Sequence, residues 1–322
     1  MKIIFVNTKK NQCGVHQYGL LVFDAIKNNS VHNVEYLSAD SIEQVSQKGL
    51  DIDCDMIIYN FHPGSLRFVN EKMKRKYNVP SIAIVHEPKL FDFNYLNEHQ
   101  IFQYAIFSDA GTTDYLKRFR ESGRLFSTGR VLFEYKENSE KSKIPTFGTI
   151  GFASLSKGFD RIINLVQNEF DEAIIRFNIP MNNSVFNDED GARKYDDYFR
   201  SLIKKPGIKL EITHDFYDRD DFIKYLSNNS VNIFPYDCED NHGGISSSLD
   251  NALMSKSAIA ITKADIFRHV LKYDLPITLE DHNLKQILEN GNSPLKVLYD
   301  SWSATNFAKD FMDIINRIPG EQ

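Results

Sequence analysis

The sequence predicts an α/β protein made of two doubly wound halves. Short apolar runs alternate with amphipathic stretches along almost the whole chain, which is the mark of parallel sheets covered by helices on both faces. That rhythm breaks once, in the charged and polar stretch 136–145, KENSEKSKIP, and then restarts, as it does across an interdomain linker. At 322 residues the chain is long enough for two domains, each with its own core. The domains are therefore expected at residues 1–140 and 141–322, with the terminal helical segment of the second packing back on the first.

In the first half, residues 3–6 read as a buried strand. Gly14 opens a helical segment in which Tyr18, Leu21, Val22 and Ala25 share a face. Residues 56–59, 81–85 and 105–108 read as further strands, separated by helical stretches around 66–77 and 112–119. In the second half, 147–152 is a strand and 157–168 a helix with Phe159, Ile162, Ile163 and Val166 on one face. Strands follow at 173–178, 208–213, 231–234 and 258–261. The stretch 293–318 is helical and contains the one tryptophan, Trp302.

Composition excludes several function classes. A net charge of -6 gives no basic face for non-specific nucleic-acid binding. The three cysteines, Cys13, Cys54 and Cys238, are scattered and form no CxxC pair, so neither a disulfide framework nor a zinc site is indicated and a reduced, cytoplasmic setting fits. Residues 1–7 are too short and too strand-like for a signal peptide. No apolar run approaches the roughly 18 residues that span a bilayer. Membrane association is then expected only at the periphery of the inner face, through the basic run Lys72, Lys74, Arg75 and Lys76, which otherwise is a solvated helix face.

The most informative stretch is 232–262, NIFPYDCEDNHGGISSSLDNALMSKSAIAIT, which reads as strand, glycine loop, helix and strand. Its loop lies at the carboxyl end of a strand, where open parallel sheets bind ligands. Gly243 and Gly244 allow close approach of a ligand to the backbone, and Ser246, Ser247 and Ser248 place hydroxyls beside free N–H groups at a helix start, an arrangement suited to phosphate. The same glycines also serve in loops that merely turn the chain. Three other places bear on chemistry. Gly14 sits at the first strand-to-helix turn. His86 follows the apolar run 82–85, and as a neutral imidazole it can donate to a sugar hydroxyl or leaving oxygen. Lys157-Gly158 opens the helix after the strand 147–152. The acidic clusters 51–53, 188–190 and 237–240 are read as solvated loops, with no metal expected.

These motifs resemble those of family-4-like retaining glycosyltransferases of the GT-B fold, nearest to a divergent branch found in bacterial polysaccharide clusters. In that family the second domain carries a glutamate, a glycine loop and, eight positions on, a second glutamate opening a helix of the form L-E-A-x-A. Here Leu249-Asp250-Asn251-Ala252-Leu253 occupies that place, with Asp250 for the second glutamate and His242 for the first. The family's second domain opens with G-R and then K-G. Lys157-Gly158 matches, whereas Phe152 follows Gly151 where arginine is expected. A strand-terminal histidine beside the donor sugar matches His86.

The resemblance implies two Rossmann-like domains, the first on the acceptor side and the second holding a nucleotide-sugar donor. It implies metal-independent transfer to a glycan or lipid-linked acceptor, with no cofactor beyond the donor. On this reading His86, Lys157 and His242 are catalytic, and Gly14, Gly158, Gly243, Gly244, Ile245, Ser246, Ser247 and Asp250 bind the donor. The alternative is a catalytically silent relative that binds glycan or serves as a scaffold, favoured by His242 and Phe152. A doubly wound protein for another nucleotide is disfavoured, because no G-x-G-x-x-G follows a strand.

Overall fold

A computed structural model of the chain describes residues 1–10, 13–41, 44–45, 54–69, 79–88, 91, 96, 101–109, 111, 116–118, 122–135, 142–152, 154–181, 189–237 and 244–318. The chain forms two units. The first comprises Met1–Phe133, His242–Ile245 and Asp300–Gln322, and the second Glu134–Asn241 and Ser246–Tyr299.

The first unit is built on six parallel strands, β1 (Lys2–Thr8), β2 (Asn33–Ala39), β3 (Met56–Phe61), β4 (Ser81–Val85), β5 (Tyr104–Phe107) and β6 (Leu125–Ser127), in the order β2-β1-β3-β4-β5-β6. Strands β3 and β4 are buried along their whole length, as expected for strands covered on both faces. One core cluster on this sheet gathers Ile4, Val6, Ile57, Tyr59, Phe61, Phe102 and Phe107. The helix α1 (Gly14–Asn29) buries Tyr18, Leu21, Val22 and Ala25, the face foreseen from their spacing. Helix α9 (Ala304–Arg317) packs against α1 through the periodic apolar residues Phe307, Phe311, Met312 and Ile315. The chain enters this helix beside Leu132, whose N–H donates to the Trp302 carbonyl at 2.8 Å.

The second unit has five parallel strands, β7 (Thr146–Ile150), β8 (Ala173–Asn178), β9 (Ile208–Thr213), β10 (Val231–Phe234) and β11 (Ala258–Ile261), in the order β11-β10-β7-β8-β9. Its helices are α2 (Phe159–Glu169), α3 (Glu189–Ser201), α4 (Arg219–Ser227), α5 (Ser247–Met254), α6 (Arg268–Leu271), α7 (Leu284–Asn290) and α8 (Lys296–Ser301). Ile162, Ile163 and Val166 of α2 meet Ile175, Phe177 and Ile233 in one core cluster.

Several sequence expectations change. Strands β2 and β6 were not anticipated. Both lie at sheet edges, and β2 carries polar residues with only partial burial, so the continuous apolar signal is missing. Helices α3 and α4 were also missed, because their sequences are strongly charged. The helix expected from 157 begins at Phe159, and Leu155–Lys157 forms a 3₁₀ turn before it. Most of the helical stretches expected at 66–77 and 112–119 lie outside the described residues, as does the basic run at 72–76.

A buried polar network underlies the second sheet. Asn232 lies within β10, fully buried, and its amide donates to the Leu226 carbonyl at 3.1 Å and to Ser255 Oγ at 3.3 Å. Asn229 donates to Asn232 Oδ1 at 2.8 Å and accepts from Arg176 at 3.1 Å. This ties α4, β10 and the end of α5 together and satisfies polar groups that would be costly to bury alone. Gly148 of β7 leaves the space the network fills: a Cβ there would collide with the Asn229 side chain. Gly148→Ala is therefore expected to destabilise the fold by about 1–3 kcal/mol, the usual cost of overpacking, read as a lower midpoint in chemical denaturation.

Candidate functional site

In a parallel sheet, ligands bind beyond the carboxyl ends of the strands where the strand order reverses. That point falls between β1 and β3 in the first unit and between β7 and β10 in the second. Each unit places an unusual set of side chains there.

In the first unit, β1 and β3 each carry an asparagine one residue before their carboxyl end, Asn7 and Asn60, both fully buried. The register pairs Val6 with Tyr59, so the two asparagines follow side by side. Asn60 Nδ2 donates to Asn7 Oδ1 at 2.8 Å and to the Val15 carbonyl at 2.7 Å. Asn7 Nδ2 donates to the His16 carbonyl at 3.0 Å. Helix α1 approaches this pair through Gly19, where a Cβ would run into both asparagine side chains. That close approach accounts for the glycine.

His86 follows β4 and is half-buried. Its Nε2 lies 2.7 Å from Asn60 Oδ1, and its ring meets Tyr18 edge-on with centroids 5.4 Å apart. The opposite partner of Tyr18 is Arg130, whose guanidinium carbon lies 3.7 Å from the ring centroid. Burial first, then the nearby Arg130 guanidinium and the His62 ring, pull the His86 pKa down to about 3. The ring is thus neutral throughout the physiological range.

His62 sits one strand over, at the end of β3. Its Nδ1 accepts from the Gly64 N–H at 3.0 Å, and its Nε2 lies 3.5 Å from Glu87 Oε1. Gly14 is the first residue of α1, whose N-terminus has no side-chain cap and no acidic residue in its first turn. Its amides are therefore positioned to receive an anion. Gly244 and Ile245 group with this first unit, contrary to their expected place in the donor half, and a Cβ on Gly244 would lie 3.4 Å from Glu87 Cγ.

In the second unit, Lys157 ends the 3₁₀ turn after β7, and its ammonium lies 3.8 Å from the centroid of the Tyr236 ring, a cation–π contact. Tyr236 follows β10 and is itself buried, tilted against Phe267 at 5.0 Å. Gly158 caps α2 with φ of 67°, and a Cβ there would lie 2.6 Å from the Pro235 carbonyl oxygen. Both facts demand glycine. The role of Gly158 is thus to seat the turn against the end of β10, which in turn sets Lys157. Arg161 reinforces the same junction, donating to the Pro235 carbonyl at 3.3 Å and to Asp237 Oδ2 at 2.9 Å. The 3₁₀ turn and the end of β10 are also joined directly, by the Asp237 N–H to the Ser156 carbonyl at 2.9 Å.

The serine and aspartate of the central stretch have defined places. Ser246 caps α5, accepting from the Leu249 N–H at 3.3 Å, and Ser247 is exposed in the first turn. Asp250 is only 2% exposed, and its Oδ1 lies 3.8 Å from Nε2 of the equally buried His269. His242 and Gly243 lie outside the described residues. Phe152, in the place expected for arginine, is 42% exposed.

Lys157 and Gly158 are therefore brought together at one reversal point, and His86 is set at the carboxyl end of the other sheet. Asn7, Asn60, Arg130, Arg161 and Tyr236 escaped the reading of the sequence. For the asparagines a signal existed, since each is a polar residue next to the carboxyl end of a largely apolar run.

No protein-family model and no curated protein matches the sequence. Solved structures do. Anabaena HepE in complex with UDP and glucose matches at a TM-score of 0.64 and 11% identity, over 99% of this chain and 100% of its own. Trehalose-6-phosphate synthase OtsA matches at 0.67 and 11%, over 100% of both chains. An α-glucosyltransferase in complex with UDP-glucose and DNA containing an abasic site matches at 0.57 and 12%, over 98% of this chain and 100% of its own. The chain has the GT-B fold of these proteins.

The His86 environment has a consequence for stability. The folded pKa of about 3 lies below the ordinary value of about 6.5, so the unfolded chain binds the extra proton first. Stability from this group is fully present above about pH 6.5 and is lost as pH falls toward 3. Denaturant titrations over that window are expected to show stability falling with acid in the wild type, and a shallower fall in His86→Gln.

Proposed function

We propose that the protein is a glycosyltransferase that moves a sugar from a nucleotide sugar to a glycan or lipid-linked acceptor, with retention of configuration and without a metal ion. The observation that carries this reading is the placement of Lys157, a cation fixed by Tyr236 and Gly158 at the strand reversal of the second sheet. A departing nucleoside diphosphate gains negative charge as the glycosidic bond breaks. A cation and backbone N–H groups already oriented toward that charge stabilise the transition state more than the ground state. The solved structures of similar fold support a nucleotide-sugar donor, since HepE was captured with UDP and glucose and an α-glucosyltransferase with UDP-glucose. Retention, and metal independence with Lys157 in place of a metal cation, follow the family-4-like resemblance.

In this reading the second unit is the donor domain and the first serves the acceptor side, with His86 contacting sugar. The ring is neutral, so it offers a hydrogen bond without placing a competing positive charge beside the sugar. The proposed setting is the cytoplasm, in polysaccharide biosynthesis, with peripheral contact at the membrane. Among the described residues no helix is long and apolar enough to cross a bilayer.

The exposed Phe152 favours a second reading, a GT-B relative that has lost turnover and binds glycan, because an aromatic ring stacks on sugar faces but cannot neutralise a diphosphate. Slow hydrolysis of UDP-glucose by the purified protein separates the two: release of glucose supports the transferase, and binding without release supports the silent relative.

Lys157→Ala is expected to weaken UDP binding roughly tenfold to hundredfold, the equivalent of about 1.5–3 kcal/mol for a hydrogen bond to a charged group. Lys74→Ala should leave it unchanged. Calorimetry giving one affinity for all three proteins would remove Lys157 from the site.

A further inference from the structure

We propose that Asn60 is a positioning residue that holds His86 as its Nε2–H tautomer, so that the ring meets a substrate hydroxyl as a hydrogen-bond acceptor through Nδ1. The naming of a substrate hydroxyl rests on the glycosyltransferase reading above, whereas the tautomer itself does not.

The argument starts from two groups that can only accept. The backbone carbonyls of Val15 and His16 carry no proton. The Asn60 atom 2.7 Å from the Val15 oxygen must therefore be its amide nitrogen, and the Asn7 atom 3.0 Å from the His16 oxygen must be its own. Asn7 then turns Oδ1 inward, where it accepts from Asn60 Nδ2 at 2.8 Å and from the Thr8 N–H at 2.9 Å. Each amide is fixed twice over, with no freedom to exchange oxygen and nitrogen. What Asn60 presents to His86 is consequently Oδ1, an acceptor, 2.7 Å from Nε2. Nε2 must carry the proton.

A neutral imidazole has only one ring proton, so Nδ1 keeps its lone pair. Desolvation and the charge of Arg130 keep the ring neutral. Among the described residues Nδ1 has no hydrogen-bond partner, and the half-buried ring stands at the carboxyl end of β4. This differs from the sequence expectation, in which His86 donates to the sugar or leaving oxygen. A hydroxyl that donates to Nδ1 keeps its own lone pairs for other donors. A ligand oxygen with no proton to give finds no partner there. The site thus selects for a hydroxyl over a carboxylate or ether oxygen.

The arrangement is rigid for a packing reason. Asn7 and Asn60 are fully buried, and α1 closes over them through Gly19, leaving no room for water to substitute for either amide.

Long-range proton–nitrogen NMR correlations of imidazole rings in the ligand-free protein read the tautomer directly, with His86 assigned by its loss in His86→Gln. The wild type is expected to show the Nε2–H form, unchanged from about pH 5 to 8. The nearly isosteric Asn60→Asp keeps an acceptor but adds a negative charge, so the ring should remain Nε2–H when neutral and titrate at visibly higher pH. Asn60→Leu removes the acceptor, so the Nδ1–H form should become populated. An Nδ1–H ring in the wild type, or identical His86 signals in wild type and Asn60→Leu, would overturn the proposal.

UDP-glucose should shift the Nδ1 resonance and UDP alone should not. An unmoved Nδ1 in protein shown by calorimetry to hold UDP-glucose would overturn the hydroxyl contact. If calorimetry shows no binding of any nucleotide sugar, the functional reading fails while the spectra of the ligand-free protein still decide the role of Asn60. In turnover, Asn60→Leu is expected to lower kcat/KM for UDP-glucose hydrolysis about tenfold, the worth of one ordinary hydrogen bond. Asn60→Asp should recover most of that loss at alkaline pH.

Discussion

Parallel strands can be joined only by long crossovers, and those crossovers run in one hand. When a chain builds outward from its first strand in one direction and then returns to build on the other side, the two neighbouring crossovers lie on opposite faces of the sheet. A crevice opens between them at the strands' carboxyl ends. Both units of this protein have that reversal, beside β1 in one and beside β7 in the other. Every group assigned a chemical role above stands at the carboxyl end of a strand at or next to it, or in the turn that follows. The constraint explains why buried, largely apolar strands carry an asparagine near their carboxyl end or are followed by a histidine or a lysine-glycine turn. Within the sheet a polar side chain has few partners; near its carboxyl end it meets backbone polar groups of a neighbouring helix, as Asn7 and Asn60 meet the His16 and Val15 carbonyls.

The two ends are tuned in opposite electrostatic senses. At the first, burial and a neighbouring guanidinium suppress protonation of His86, and an amide fixes where its one proton lies. At the second, an ammonium is retained by resting it on an aromatic face, which offers negative potential without neutralising the charge as a carboxylate would. A carboxylate partner would have stabilised the lysine as well or better, but it would also repel a diphosphate. Asp237, just after β10, is engaged by Arg161. The aromatic contact therefore seats Lys157 without a carboxylate partner.

Beneath the second end lies a polar network that carries no chemistry, and it has a structural counterpart in the first unit. The Arg176–Asn229–Asn232 set holds α4 and α5 to β10 and requires a glycine in β7, just as the Asn7–Asn60 pair requires Gly19 in α1. In both units a buried amide network and a facing glycine occur together. The amide needs volume that a side chain on the neighbouring element would occupy, and a glycine gives that volume while leaving the backbone bonds intact.

The sequence by itself determined the α/β class, the two-part organisation and most central strands, because periodicity and apolar runs are local and each strand covered on both faces announces itself. It also singled out His86, directly after an apolar strand, and Lys157-Gly158, in the turn between an apolar strand and a helix, because such positions lie at the sheet's carboxyl end whatever the topology. The first sheet's edge strands β2 and β6 and the charged helices α3 and α4 were not legible, because partial burial or a run of charges leaves no continuous apolar signal, whereas the edge strands β9 and β11 of the second sheet were. What only the tertiary structure decided is which atoms face one another. Asn7 and Asn60 are 53 positions apart and meet because β1 and β3 are neighbours without being consecutive. The proton on His86 is placed by Asn60, 26 positions away, and Asn60 is oriented by a carbonyl 45 positions further back. Asp250, which stands where a ribose partner was expected, is buried with its Oδ1 3.8 Å from Nε2 of His269, 19 positions away. A motif records which side chain stands at a position. Hydrogen-bond direction and burial depend on partners that only the packed sheet brings together.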